Sequence, residues 1–182
     1  MNEASTGKST VKIAGFGGQG VVLASIILGR AALLDGKYST QTASYGSESR
    51  GGECKSEVVI SRDKIDYPLV DKVQTLVVMS QPALSKYIDD LLPGGTLIVD
   101  PDMVQSIPDR ENVKIVNVPA SKAAENLGRT IVANIVMLGA FQKQTQIVSE
   151  KSLREAIREH VPPKTMDLNM KAFEIGMKLI RE

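Results

Sequence analysis

The chain has 182 residues, of which 42% are hydrophobic and 24% charged, with a formal net charge of +1. That length holds one domain with a substantial core and falls short of two ordinary ones. The near-neutral charge gives no global attraction to nucleic acid or to an anionic membrane, and no apolar stretch runs far enough to cross a bilayer before Gly, Arg or Gln interrupts it.

Met1 to Thr10 is polar and lacks the apolar core of a signal peptide. It reads as a flexible tail (1–10) ahead of one domain (11–182) in a cytoplasmic protein. Val11 to Phe16 is a short apolar strand that runs into Gly15-Phe16-Gly17-Gly18-Gln19-Gly20. Val21 to Leu34 is long enough to favour a helix, which Asp35-Gly36 stops, and Tyr38 to Thr42 reads as a second strand. Strand, glycine loop, helix, strand is the opening of a doubly wound α/β sheet.

Ser44 to Glu53 is too rich in Gly and Ser to be a buried element. Cys54 to Ser61 alternates, with Cys54, Ser56, Val58 and Ile60 on one face and Lys55, Glu57 and Val59 on the other. This is the pattern of a half-buried strand, antiparallel and near a sheet edge. Thr75 to Met79 reads as a central parallel strand and Gln81 to Leu92 as a helix ended by the turn Pro93-Gly94-Gly95. Thr96 to Val99 and Lys114 to Val118 are two more strands. From Ala120 onward the chain is mostly helical. Ser149 caps a helix in which Leu153, Ile157 and Val161 recur, the pair Pro162-Pro163 ends it, and a last helix aligns Ala172, Phe173, Gly176, Leu179 and Ile180. The expected fold is a single, mostly parallel α/β sheet domain with a helical C-terminal third.

Cys54 is the only cysteine, so neither an intramolecular disulfide nor an iron–sulfur cluster held by this chain's thiolates can form. His160 is the only histidine and reads as a surface residue at a helix end. A zinc site from one Cys and one His would need carboxylates, whose spacing gives no sign of one.

The glycine stretch matches G-x-G-x-x-G between a strand and a helix. Such a loop turns tightly and leaves amides at a helix N-terminus available to a phosphate or carboxylate. A nicotinamide or flavin site would also need an acid at the end of the second strand. Asp35 has roughly the right spacing but precedes that strand, and Ser44-Tyr45-Gly46 stands at its end. Glycines that merely make a tight packed turn remain the plain alternative. Gly7-Lys8-Ser9-Thr10 ends like a P-loop, but it precedes the first strand and Asn2 falls where the first glycine should be.

Gly15 to Val21, followed by Tyr45-Gly46-Ser47-Glu48-Ser49-Arg50-Gly51-Gly52, resembles the gamma-subunit domain of the 2-oxoacid:ferredoxin oxidoreductases. The resemblance continues through Cys54–Ser61, Ile65-Asp66-Tyr67-Pro68, Asn134 and Leu138-Gly139-Ala140. It implies a subunit of an enzyme that decarboxylates a 2-oxoacid with thiamine diphosphate, passes electrons through iron–sulfur clusters to ferredoxin, and transfers the acyl group to coenzyme A. In that family thiamine diphosphate sits on alpha and beta subunits, and the clusters on beta or a small ferredoxin-like delta subunit. The gamma subunit helps to close the active centre and to accommodate coenzyme A.

The resemblance therefore implies that this chain alone holds no redox cofactor, that coenzyme A is shared with its partners, and that catalytic and metal residues lie elsewhere. Nucleic acid and membrane are not expected partners, and a homodimer is possible for the isolated subunit. Candidate binding residues carried by the matching positions are Gly15, Gly17, Gly18, Gln19, Gly20, Tyr45, Gly46, Glu48, Arg50, Gly51, Gly52 and Asn134. Arg50 offers a charge-assisted contact to a phosphate or carboxylate. Glu48 and Arg50 could equally pair with surface neighbours, and Asn134 could face the loops or only satisfy backbone groups internally. The two loop motifs look most similar to the 2-oxoglutarate enzymes, with pyruvate and branched-chain 2-oxoacid enzymes open. A free-standing dinucleotide oxidoreductase and a non-catalytic scaffold are the competing functions.

Overall fold

The computed structural model describes residues 7–45, 52–67 and 69–180. In chain order the elements are β1 (Lys8–Phe16), α1 (Val21–Leu34), β2 (Tyr38–Tyr45), β3 (Glu53–Ser61), β4 (Val73–Val78) and α2 (Gln81–Tyr87). They continue as β5 (Leu91–Val99), β6 (Lys114–Asn117), α3 (Ala120–Asn126), α4 (Ala133–Thr145), α5 (Glu150–His160) and α6 (Met166–Leu179). The strands form one sheet in the order β2-β3-β1-β4-β5-β6. β1, β4, β5 and β6 pair in parallel, while β3 is antiparallel to both β1 and β2. β2 therefore runs in the same sense as β1 but is separated from it by β3.

Alternation along the strands sends side chains to two cores. Val11 and Ile13 of β1, Val58 and Ile60 of β3, and Val77 of β4 join residues of α1, α3, α4, α5 and α6 in the larger one. Ala14, Leu76, Val78, Leu97 and Val99 face the other way, against Ala83, Leu84 and Tyr87 of α2. This is the doubly wound α/β arrangement, with its helices concentrated in the C-terminal third.

Several boundaries differ from the sequence reading. β1 begins at Lys8, inside the stretch expected to be a flexible tail, because Lys8 to Phe16 pairs residue for residue with Ser61 to Glu53. β2 extends to Tyr45 for the same reason. The helix expected over Gln81 to Leu92 stops at Tyr87, followed by a 3-10 turn (Ile88–Asp90), and Leu91 and Leu92 open β5. The residue before a proline is pushed out of the α region, and Leu92 precedes Pro93. Leu91, meanwhile, is buried beside Val73. β5 runs through Pro93-Gly94-Gly95, absorbing the turn expected there as a slip in pairing between Val73 and Thr75.

β3 is more buried than a half-exposed strand: Ser56 to Ser61 are all buried. Lys12, on β1 beside it, is 2% exposed, and its Nζ lies 3.0 Å from Glu57 and 2.5 Å from Asp90. The same ammonium sits 5.1 Å from the centre of the Tyr87 ring. A buried cation is tolerable only when paired in this way.

The C-terminal helices follow the expected faces. Ser149 caps α5, its Oγ accepting the Ser152 amide at 3.1 Å. α6 lies close on α4 through two glycines: a Cβ on Gly139 would overlap the Phe173 carbonyl, and one on Gly176 the Val136 carbonyl. His160, the last residue of α5, bonds through Nδ1 to Ala156 O at 2.8 Å.

Candidate functional site

The connections from β1 run toward β2 and β3 on one side, and then cross to β4 on the other. The chain thus reverses its winding between β1 and β4, and crevices at the carboxyl ends of strands at such a point are where open α/β sheets receive ligands. The glycine loop lies there.

Gln19 fills the point itself. Its Oε1 accepts the Phe16 amide at 2.7 Å, and its Nε2 donates to the Met79 carbonyl at 2.8 Å, tying the end of β1 to the residue after β4. A Cβ on Gly15 would overlap Gln19 Oε1, so a larger residue there would displace the Gln19 side chain from these bonds. Gly17 donates its amide to the Gly52 carbonyl at 2.8 Å, fastening the loop to the residue before β3. Gly18 has φ 100° and open space where a Cβ would stand.

Gly20 caps α1 with φ 74°, and Asn134 at the start of α4 donates through Nδ2 to its carbonyl at 3.1 Å. Of the two roles open to Asn134 in the sequence, the structure has it bonded to backbone: it is buried, with Oδ1 also accepting the Ile135 amide at 2.9 Å.

Beside the loop, at the carboxyl ends of the parallel strands, is an open cleft of about 430 Å³. Gly18, Gln19, Met79, Met103, Ser121 and Glu125 are among its walls. It adjoins a second hollow of about 460 Å³ around Gly128, Arg129, Thr130 and Ile131. Asp100, buried after β5, orders this rim by accepting the Ser121 amide at 2.7 Å through Oδ2 and the Asp102 amide at 3.1 Å through Oδ1. Arg129 is exposed and makes no ion pair among the described residues. The sequence reading did not single it out, because one arginine between two short helical segments carries no periodic or motif signal.

Of the other candidate residues, Tyr45 ends β2 and is 68% exposed. Gly46, Glu48, Arg50 and Gly51 lie outside the described residues. Glu53, the first residue of β3, forms an ion pair with Lys86 at 2.7 Å. Burial pushes its carboxyl upward, but bonds to Lys86 and Tyr87 hold it below the usual value overall.

The dinucleotide alternative loses its acid. Asp35 stands at the far end of α1, about 20 Å of helix from the loop, where it accepts the amide and hydroxyl of Ser149, both at 2.6 Å. The strand next to β1 on that side is the antiparallel β3, where a dinucleotide fold places its second parallel strand. Cys54 is a poor metal ligand: it is 4% exposed, and burial raises its thiol pKa, away from the thiolate that a cluster requires. Among the described residues no group of three His, Cys, Asp or Glu side chains could hold a metal ion.

Fold and loop together define a doubly wound α/β domain whose glycine turn lacks the acid of a self-contained dinucleotide site. The chain belongs to the pyruvate ferredoxin/flavodoxin oxidoreductase family, whose profile matches residues 10–179. It is 51% identical to the 2-oxoglutarate synthase subunit KorC of Methanothermobacter marburgensis over 182 aligned residues, covering 96% of this chain and 98% of that one. The gamma subunit of the keto/oxoacid ferredoxin oxidoreductase from Geobacter sulfurreducens superposes with a TM-score of 0.83 at 39% identity, covering 94% and 97% of the two chains. The 2-oxoglutarate:ferredoxin oxidoreductase of Magnetococcus marinus shares the fold with a TM-score of 0.88 at 23% identity, this chain covering 31% of it.

Proposed function

We propose that this chain is the gamma subunit of a 2-oxoglutarate:ferredoxin oxidoreductase, an enzyme that decarboxylates 2-oxoglutarate and delivers succinyl-CoA, CO2 and two electrons. The observation that carries this reading is the 51% identity, end to end, with a 2-oxoglutarate synthase subunit. Thiamine diphosphate and the iron–sulfur clusters belong to the alpha, beta and delta-type partners. The single buried cysteine of this chain is unsuited to a cluster, so no electron-transfer step is assigned to it.

What this chain contributes is a surface at the carboxyl ends of its parallel strands. The Gly18 amide, the Ser121 and Thr130 side chains and the Arg129 guanidinium stand around adjoining hollows, and together they suit an anionic group such as the phosphates of coenzyme A. Glu125, on the same wall, discourages a second negative charge near it and gives the cleft a direction. Arg50, between β2 and β3 in sequence, is the further cation proposed for this contact.

The test is Arg50→Ala and Arg129→Ala in the assembled enzyme. A KM for coenzyme A raised about tenfold (about 1.4 kcal/mol of lost binding), with subunit composition unchanged, supports the ligand role. Loss of the subunit from the complex points instead to a scaffold surface. Unchanged kinetics and assembly for both variants contradict the proposed contact.

A further inference from the structure

Gly17 and Gln19 spend their amides within the glycine loop and its anchor, on the Gly52 carbonyl at 2.8 Å and the Phe16 carbonyl at 3.2 Å. Gly18 stands between them with φ 100° and lines the cleft. The direction of its amide is therefore set by how firmly its two neighbours are held.

The Gln19 side is held by the Met79 carbonyl, two residues ahead of α2. The Gly17 side is held by Gly52, whose neighbour Glu53 pairs with Phe16 as the last step of the β1–β3 ladder. The end of a ladder frays unless something beyond the main chain fixes it. Here the Glu53 side chain reaches the last turn of α2, with Oε2 2.7 Å from Lys86 Nζ. The Tyr87 phenol, 7% exposed, lies beside the same carboxylate. The ammonium groups of Lys86 and Lys55 each stand 5.5 Å from the centre of the Tyr87 ring, which steadies the end of α2. α2 thus grips the loop twice, near its start through Met79 and Gln19 and at its end through Glu53 and Gly52. Among the described residues, neither Glu53 nor Lys86 is on the walls of the cleft.

We propose that Glu53 is a positioning residue for the glycine loop. Its ion pair with Lys86 fixes the Gly52 carbonyl on the Gly17 amide and so aims the Gly18 amide into the cleft. The pair is partly exposed, Glu53 by 29% and Lys86 by 59%, so solvent screens it and it adds little to global stability. Its loss acts on the loop. The effect on coenzyme A rests on coenzyme A phosphates being the occupant of that cleft, whereas the effect on the loop does not.

Glu53→Gln and Lys86→Met keep side chains of similar size and remove the ion pair. In the purified full-length chain, hydrogen exchange of the Gly17 amide should accelerate about threefold in each variant, with Val11 to Ile13 unchanged. The double variant should accelerate it no further, because either single change already removes the pair. In the assembled enzyme the same variants should raise the KM for coenzyme A about threefold, with kcat and subunit composition unchanged. A Gly17 amide that exchanges at the wild-type rate in both single variants overturns the proposal. So does equal acceleration along the whole of β1, or a double variant whose effect is the product of the two singles. Faster Gly17 exchange with an unchanged KM upholds the positioning role and removes coenzyme A from the cleft.

Discussion

Asn134 donates to the carbonyl of Gly20 across 114 residues of sequence, pinning the start of α4 onto the start of α1 directly behind the glycine loop. The same closeness favours glycine at position 20, since a Cβ there would overlap the Asn134 amide and the φ of 74° strains any L side chain. Gly20→Ala should cost about 2 kcal/mol or more, from the left-handed backbone and the displaced amide. Asn134→Ala should cost only about 1 kcal/mol, because the Gly20 carbonyl keeps its bond from the Ala24 amide at 2.9 Å. Urea unfolding of both variants measures the difference.

Gln19→Leu removes the side-chain bridge between Phe16 and Met79, while the Met79 amide keeps its bond to the Ala14 carbonyl at 2.9 Å. The Phe16 amide loses its acceptor, and its hydrogen exchange should accelerate about fivefold or more, as expected for a lost bond of about 1 kcal/mol. Exchange in the core of β1, at Val11 to Ile13, should be unaffected. Equal acceleration along the whole strand would mean that Gln19 supports global stability and not the loop.

The buried ion pairs around Lys12 predict both a mutational and a pH effect. Lys12→Met leaves Glu57 without one of its two cations, and should cost about 3 kcal/mol. Burial alone would raise the Glu57 carboxyl, but hydrogen bonds from Lys55 and Lys12 and their charges hold it below its usual value overall. A depressed carboxylate pKa adds stability that is complete above the unfolded-state value of about 4.3 and is lost as pH falls through the folded-state value. Melting temperature should therefore drop below about pH 4.3, and Glu57→Gln should make that acid limb shallower. A mutant limb as steep as the wild type's would assign the acid sensitivity elsewhere.

Gly176→Ala should be among the most destabilising small substitutions in the chain. Its Cβ would overlap the Val136 carbonyl, which belongs to α4 and cannot rotate away, so α6 must lift. Overpacking of this kind costs about 1–3 kcal/mol. Gly7→Ala, where a Cβ meets nothing within 4 Å, is the matched control in a thermal melt.

Much of this fold was legible because its signals are local. Val11 to Phe16 and Thr75 to Met79 are apolar runs, Ser149 is a capping residue ahead of an amphipathic helix, and Pro162-Pro163 ends that helix. Leu91 and Leu92 were misread because an apolar pair has no period of its own, so Pro93 and the burial of Leu91 beside Val73 decided their state. At the site, the glycine pattern showed where the loop lies but not what fills it. Gln19 and Asn134 turn inward through contacts 60 and 114 residues away in sequence. Arg129 joins the rim only because α3 and α4 bring the connection between them to the strand ends. Such long-range juxtapositions leave no spacing to read.

Membership in a 2-oxoglutarate-oxidising complex can be tested by purifying this subunit under native anoxic conditions and assaying what accompanies it. Larger partners that contain iron and thiamine diphosphate should accompany it, and they should reduce ferredoxin or viologen when given 2-oxoglutarate and coenzyme A. A chain that purifies without them and binds a nicotinamide or flavin dinucleotide stoichiometrically would not be a subunit of such a complex.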